Sequence, residues 1–149
     1  MSTQIRPLES GDYPAFFHYL NAQLEENGKN GNPLFQPISR EVICFPPEKE
    51  ATFVAGLSKS QGQSGWRSAW VICNEEGEIM GHVDLRGHND SAIKHRALLG
   101  MGVSRSFRRQ GLATKLLEFA CGWAGKNKPL EWIDIEVLAV NQPAVALYL

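Results

Sequence analysis

The sequence predicts a single α/β domain over residues 1–149, in which strands and amphipathic helices share one core. Three stretches carry that prediction. Residues 97–125 read as a short apolar strand, a basic turn and a helix with one apolar face. Residues 66–86 read as two strands joined by a tight polar turn. Residues 130–148 read as an alternating strand followed by a capped helix. A chain of 149 residues is long enough to bury one core.

Composition narrows the class. Apolar residues make up 43% and charged residues 21%, which is ordinary for a soluble globular protein. A net charge of −1 gives no overall basic field for nucleic acid. Cys44, Cys73 and Cys121 are scattered, with no C-x-x-C spacing, and are expected to be reduced thiols in a cytoplasmic protein. The N-terminus carries Glu9 and Asp12 in place of an apolar run, so no signal peptide is expected. No stretch reaches the ~20 apolar residues of a membrane span.

In chain order, Thr3 to Leu8 alternates and predicts a short edge strand. Ser10 is placed to cap the next helix, with Asp12 and Pro14 in its first turn. Phe16, Phe17, Leu20 and Leu24 make the buried face of that helix. Gly28 to Pro47 is a long Gly-, Asn- and Pro-rich connection. It is either a functional loop or a segment tucked onto the core by Leu34, Phe35, Ile38, Val42, Ile43 and Phe45. Pro46 and Pro47 start a second helix, with Glu48 and Glu50 in its first turn. Trp66–Cys73 and Glu78–Arg86 are strands around the turn Asn74–Gly77. Among His82, Asp84, His88, Asp90 and His95 no spacing fits a zinc site, and no metal is expected. His82 and Asp84 share a strand face and can line a pocket there.

Residues 97–103 are uncharged and form the central strand. Ser104 to Gln110 is a polar turn with Arg105, Arg108 and Arg109. From Gly111 a helix runs with Leu112, Leu116, Leu117, Ala120 and Trp123 on one face. A glycine at a helix start beside arginines suits an anion, although the arginines would also fit a solvated corner. No Gly-Lys-Ser/Thr follows, so this is not a Walker loop. Gly100-Met101-Gly102 lies inside the strand, and Arg105 stands where a dinucleotide fingerprint needs its third glycine. In Leu130 to Val140, Ile133, Ile135 and Val137 share one face, and Trp132, Asp134 and Glu136 the other. Carboxylates on one strand face need either water or arginine partners.

Arg108-Arg109-Gln110-Gly111-Leu112-Ala113 resembles the Q/R-x-x-G-x-G/A signature of the GNAT N-acetyltransferase superfamily, with Ala113 in place of the more usual second glycine. Residues 136–148, beginning Glu136-Val137 and ending Leu147-Tyr148, resemble its E-V-x-x-x-N-x-x-A-x-x-L-Y run. The nearest likeness is to the ribosomal-protein alanine N-acetyltransferase branch. The opening Ile5 to Leu20 resembles the first strand and helix of that fold.

The resemblance implies a mixed, mostly antiparallel sheet flanked by helices, and acetyl-coenzyme A-dependent acetylation of an amine. It implies that amides of Arg108, Arg109, Gln110, Gly111, Leu112, Ala113 and Thr114 hold the coenzyme's pyrophosphate. Asn141 would also bind the coenzyme, and backbone donors at Met101, Gly102 and Val103 would meet the oxyanion. Glu136 would be the general base and Tyr148 the proton donor, with Asp84 or Asp134 in reserve as the base. The 28–47 connection would line the acceptor site. A coenzyme-binding module without catalysis is the alternative. Tyr148 as a core residue, Asn141 as a simple cap and Glu136 as an ion-pair partner belong with it. Family members continue past the tyrosine through further strands, whereas this sequence stops at Leu149. The expectation is therefore a fragment, or a partner covering the 130–140 edge, most economically a homodimer; the alternative is a monomer in which Leu130 to Val140 packs under a loop or the final helix.

Overall fold

The structure is a computed structural model that describes residues 4–26, 46–59, 63–87, 95–108, 110–126, 130 and 132–135. The described elements run β1 (Gln4–Pro7), α1 (Tyr13–Glu26), α2 (Pro47–Leu57), β2 (Arg67–Cys73), β3 (Ile79–Gly87), β4 (Arg96–Val103), α3 (Leu112–Lys126) and β5 (Trp132–Asp134). The strands form one sheet in the order β1-β2-β3-β4-β5. Every neighbouring pair is antiparallel except β4 and β5, which are parallel. This is the mixed, mostly antiparallel sheet expected, with β1 at one edge.

The alternation of β2 decides the layers. Ala69 and Val71 face one side and pack with Phe16 and Tyr19 of α1 and Phe53 of α2. Trp70 and Ile72 face the other side and pack with Leu112, Leu116, Ala120 and Ala124 of α3. Being covered on both faces, β2 reads as a continuous apolar run. The inward stripe of α3 is Leu112, Leu116, Ala120 and Ala124; the expected Leu117 and Trp123 lie at its margin, half-buried.

Several boundaries differ from the sequence reading. Ser10, expected as a cap, sits inside a short 3-10 turn, Ser10–Asp12, that leads into α1. Glu9 precedes that turn, and its N–H donates to Asp12 Oδ2 at 2.9 Å. The same carboxylate holds Arg6 through two bonds of 2.7 and 2.9 Å. Glu78 belongs to the turn, because the side-chain oxygen of Asn74 accepts its N–H at 2.9 Å and Gly77 supplies a φ of +81°. Of the expected 130–140 strand, the described part is Trp132–Asp134, in register from Arg96↔Trp132 to Leu98↔Asp134. Residues 136–149, with the expected final helix, and 27–45, with the long connection, lie outside the described residues.

Candidate active site

The site is built on β4, which lies between an antiparallel neighbour, β3, and a parallel one, β5. Its last residues, Met101, Gly102 and Val103, pair with Val83, His82 and Gly81 of β3. The register with β5 covers only Arg96–Leu98, so β4 runs five residues beyond its last described β5 partner.

The chain leaves β4 in a tight turn. Ser104 N–H donates to the Met80 carbonyl at 2.8 Å, and Phe107 N–H to the Ser104 carbonyl at 2.9 Å. Arg108 then folds back, its Nε donating to the Val103 carbonyl at 3.1 Å. One arginine expected at an anion therefore also ties the loop to the strand. Gly111 has a φ of +77°, a conformation that side chains with a Cβ rarely adopt. A Cβ built there meets nothing within 4 Å, so the backbone is open to a ligand. The first intrahelical bond of α3 is Lys115 N–H to the Gly111 carbonyl at 3.2 Å. The N–H groups of Leu112, Ala113 and Thr114 precede it at the positive end of the dipole, and among the described residues no loop carbonyl accepts them. Leu112 and Leu116 anchor this first turn in the core, while Gln110, Gly111 and Thr114 are exposed beside it. This constellation fits a pyrophosphate: an open glycine, a helix start and a nearby guanidinium.

Arg109, Glu136, Asn141 and Tyr148 lie outside the described residues. Asp134, held in reserve as the base, is engaged elsewhere: Arg96 Nε donates to its two oxygens at 3.1 and 2.9 Å, and Arg96 Nη2 adds a short contact. Arg96 also lies 5.7 Å from the ring centroid of Trp132. The carboxylate on this strand face thus meets an arginine.

The other face of β4, toward α1, holds a buried polar group that the sequence only half disclosed. His82 and Asp84 do share that face, and both are buried. Asp84 faces Arg67 at 3.5 Å and His82 Nε2 at 3.8 Å. Arg67 lies 4.2 Å above the Phe53 ring. Burial pushes the His82 imidazole down to about 4, against the pull of Asp84, so it is neutral at neutral pH. Its Nδ1 lies 2.8 Å from the Tyr19 hydroxyl, and Gln23 Nε2 donates to that hydroxyl at 3.1 Å. Burial holds the Tyr19 hydroxyl far above its ordinary value, so it remains protonated.

Sequence reading missed Tyr19, Gln23 and Arg67. The signal was Gly100-x-Gly102, since glycines inside a strand mark close approach. A Cβ on Gly100 would stand 2.5 Å from Asp84 Oδ1, and one on Gly102 would stand 2.6 Å from Gln23 Oε1. Beside this group a cavity of about 340 Å³ lies between α1, the β2–β3 turn and Ser104. Among the described residues no group of three or more metal-type ligands occurs, and no helix is long and apolar enough to cross a membrane.

Comparison with known proteins places this geometry in a family. The model for the acetyltransferase (GNAT) family matches residues 37–149. The acetyltransferase of the GNAT family from Streptococcus pneumoniae is similar, with a TM-score of 0.79 and 23% identity, over 99% of this chain and 81% of that one. A ribosomal-protein-alanine N-acetyltransferase from Brucella melitensis gives 0.75 and 18%, over 97% and 80%. AAC(6')-Iy, in complex with the bisubstrate analog CoA-S-monomethyl-acetylneamine, gives 0.69 and 17%, over 99% and 88%. At such identities these structures speak for the fold.

Proposed function

The chain belongs to the GNAT acetyltransferase family and is an N-acetyltransferase, and on that premise we propose that it passes the acetyl group of acetyl-coenzyme A directly to a primary amine in a ternary complex. The observation that carries the proposal is the passage from β4 through Gly111 into α3, with its open glycine and a helix start whose first amides meet no acceptor among the described residues. In this reading the backbone from Arg108 to Thr114, including Arg109, Gln110, Leu112 and Ala113, holds the pyrophosphate, and Asn141 contributes to coenzyme binding. Met101, Gly102 and Val103 offer the backbone donor for the oxyanion. The coenzyme supplies an activated thioester. Glu136 takes the proton that the acceptor ammonium must lose, and Tyr148 returns one to the departing thiolate.

The same reading treats residues 1–149 as one catalytic domain, supported by the continuity of the five-stranded sheet. It puts the reaction in the cytoplasm, in keeping with the free thiols Cys73 and Cys121. It also pairs the outer side of the 130–140 strand with a second copy. Trp132 there is 59% exposed, and β5 has its described neighbour on the β4 side. Light scattering is expected to give twice the monomer mass; a stable monomer at high concentration removes the dimer from the proposal.

Thiol release from acetyl-coenzyme A in the presence of an amine panel tests the activity. Wild type is expected to release free thiol with at least one amine. Gly111→Asn, which tolerates positive φ better than most residues, should weaken coenzyme binding at least about tenfold without lowering Tm greatly. Coenzyme binding without thiol release would return the chain to a coenzyme-binding module.

A further inference from the structure

We propose that the cavity between α1, the β2–β3 turn and the end of β4 receives the acceptor, a small-molecule primary amine, and that the side-chain carbonyl of Gln23 accepts a hydrogen bond from its nitrogen. The proposal rests on the acetyl-transfer reading above and adds the substrate class and a specificity residue. The cavity measures about 340 Å³, with Tyr19, Gln23, His18, Glu78 and Ser104 in its wall.

The orientation of Gln23 follows from a chain of donors. His82 Nε2 faces the Asp84 carboxylate at 3.8 Å, which favours the ring proton on Nε2. Nδ1 is then bare and accepts the Tyr19 O–H at 2.8 Å. The lone pairs of the Tyr19 oxygen are left to accept Gln23 Nε2–H at 3.1 Å. That fixes the amide with its nitrogen on Tyr19 and turns Oε1 away. Gln23 is only 8% exposed, yet Oε1 accepts no hydrogen bond from any described residue. Buried carbonyl oxygens are ordinarily satisfied, and in the proposal the acceptor's nitrogen is the donor to this one. Gly102 leaves the space in which it sits, since a Cβ there would lie 2.6 Å from Oε1. The cavity thus lies against a strand residue already assigned to the coenzyme.

Charge and size select the ligand. Glu75, Glu76 and Glu78 stand exposed on the β2–β3 turn, and of these Glu78 lines the wall. In this reading the Glu78 carboxylate draws in an ammonium, against the Arg108 guanidinium whose charge reaches Tyr19. Inside, Gln23 accepts an N–H from the ammonium and the neutral amine alike. A neutral amide does not hold the proton as a buried carboxylate would, so the amine can be deprotonated in place. The volume equals roughly eleven waters at ~30 Å³ each, the size of a short alkylamine or a single-ring amine.

Steady-state kinetics with 1,4-diaminobutane, benzylamine and an alanine-initiated hexapeptide test this on wild type, Gln23→Leu and Ala22→Trp. Ala22 lines the cavity from an exposed position on α1, so its tryptophan fills the space without entering the core. Both variants should raise KM for the small amines at least about tenfold, with KM for acetyl-coenzyme A within twofold of wild type. Amine KM unchanged in either variant overturns the cavity and leaves the acetyltransferase reading standing. If wild type turns over only the peptide, the small-molecule assignment falls. If wild type turns over none of the three, calorimetry with 1,4-diaminobutane in the presence of coenzyme A decides. Binding that Ala22→Trp abolishes upholds the cavity while the transfer reading falls, and no binding to wild type overturns the cavity.

Discussion

A free amine is mostly ammonium at neutral pH, because alkylamines titrate near 10.4, and only the neutral form attacks a thioester. Among the acidic side chains first considered for the proton, Asp134 is committed to Arg96 and Asp84 is buried against Arg67. Glu136, the next residue but one after Asp134, is therefore the strongest candidate that remains. Glu136→Gln should lower kcat roughly 10²–10⁴-fold, as should Tyr148→Phe, because a positioned acid or base is worth about that much. Both variants should bind acetyl-coenzyme A as wild type does, since neither removes a phosphate contact. Full turnover in both variants would move the roles to other residues. Glu136→Gln should also lose the acidic limb of the pH–rate profile, which a merely structural glutamate would not control.

At the scale of the element, β4 owes its role to glycines with different neighbours. Gly100 and Gly102 keep its α1 face bare so that Asp84 and Gln23 can lie across it. Gly100→Ala drives a methyl to 2.5 Å from a carboxylate that is buried and paired. The cost expected is about 1–3 kcal/mol, or roughly 3–10 °C in Tm. Gly122, exposed within α3, has nothing within 4 Å of its built Cβ. Gly122→Ala should stabilise by about 0.4–1 kcal/mol through the unfolded chain. Scanning calorimetry on the two variants should give shifts of opposite sign; destabilisation by both would mean that space is not what separates the two glycines. Strands, helices and the glycine at the start of α3 were legible in the sequence because period and punctuation are local. The polar group was not, because Tyr19, Gln23, Arg67 and Asp84 meet only when α1 crosses the sheet. Gln23 reads in the sequence as one more polar helix position. Ser10 misled for a local reason: the turn opens one residue earlier, at Glu9, whose N–H the Asp12 carboxylate accepts with Arg6 behind it.

At the scale of the whole molecule, His82 joins the sheet to α1 through Tyr19, and its protonation is coupled to folding. Its folded value, about 4, lies below the 6.5 of an unperturbed imidazole. Between those values the unfolded chain takes up a proton that the folded chain refuses. Stability therefore falls as pH falls through this window, by up to ~1.4 kcal/mol per pH unit. Above about pH 6.5 both states are neutral and this group contributes no slope. The Asp12 carboxylate, held down by Arg6, acts in the same direction but below its ordinary value of 3.8, so its loss falls at lower pH. Urea unfolding of wild type and His82→Gln at pH 7.5, 6.5, 5.5 and 4.5 separates the contributions, the pH steps being about one unit so that each samples part of the window. Wild type should lose stability steeply between about pH 6.5 and 4.5, and the variant should lose much less over the same interval. Parallel curves would mean that the imidazole titrates in the fold as it does in water, and that the bond from Tyr19 does not hold it neutral.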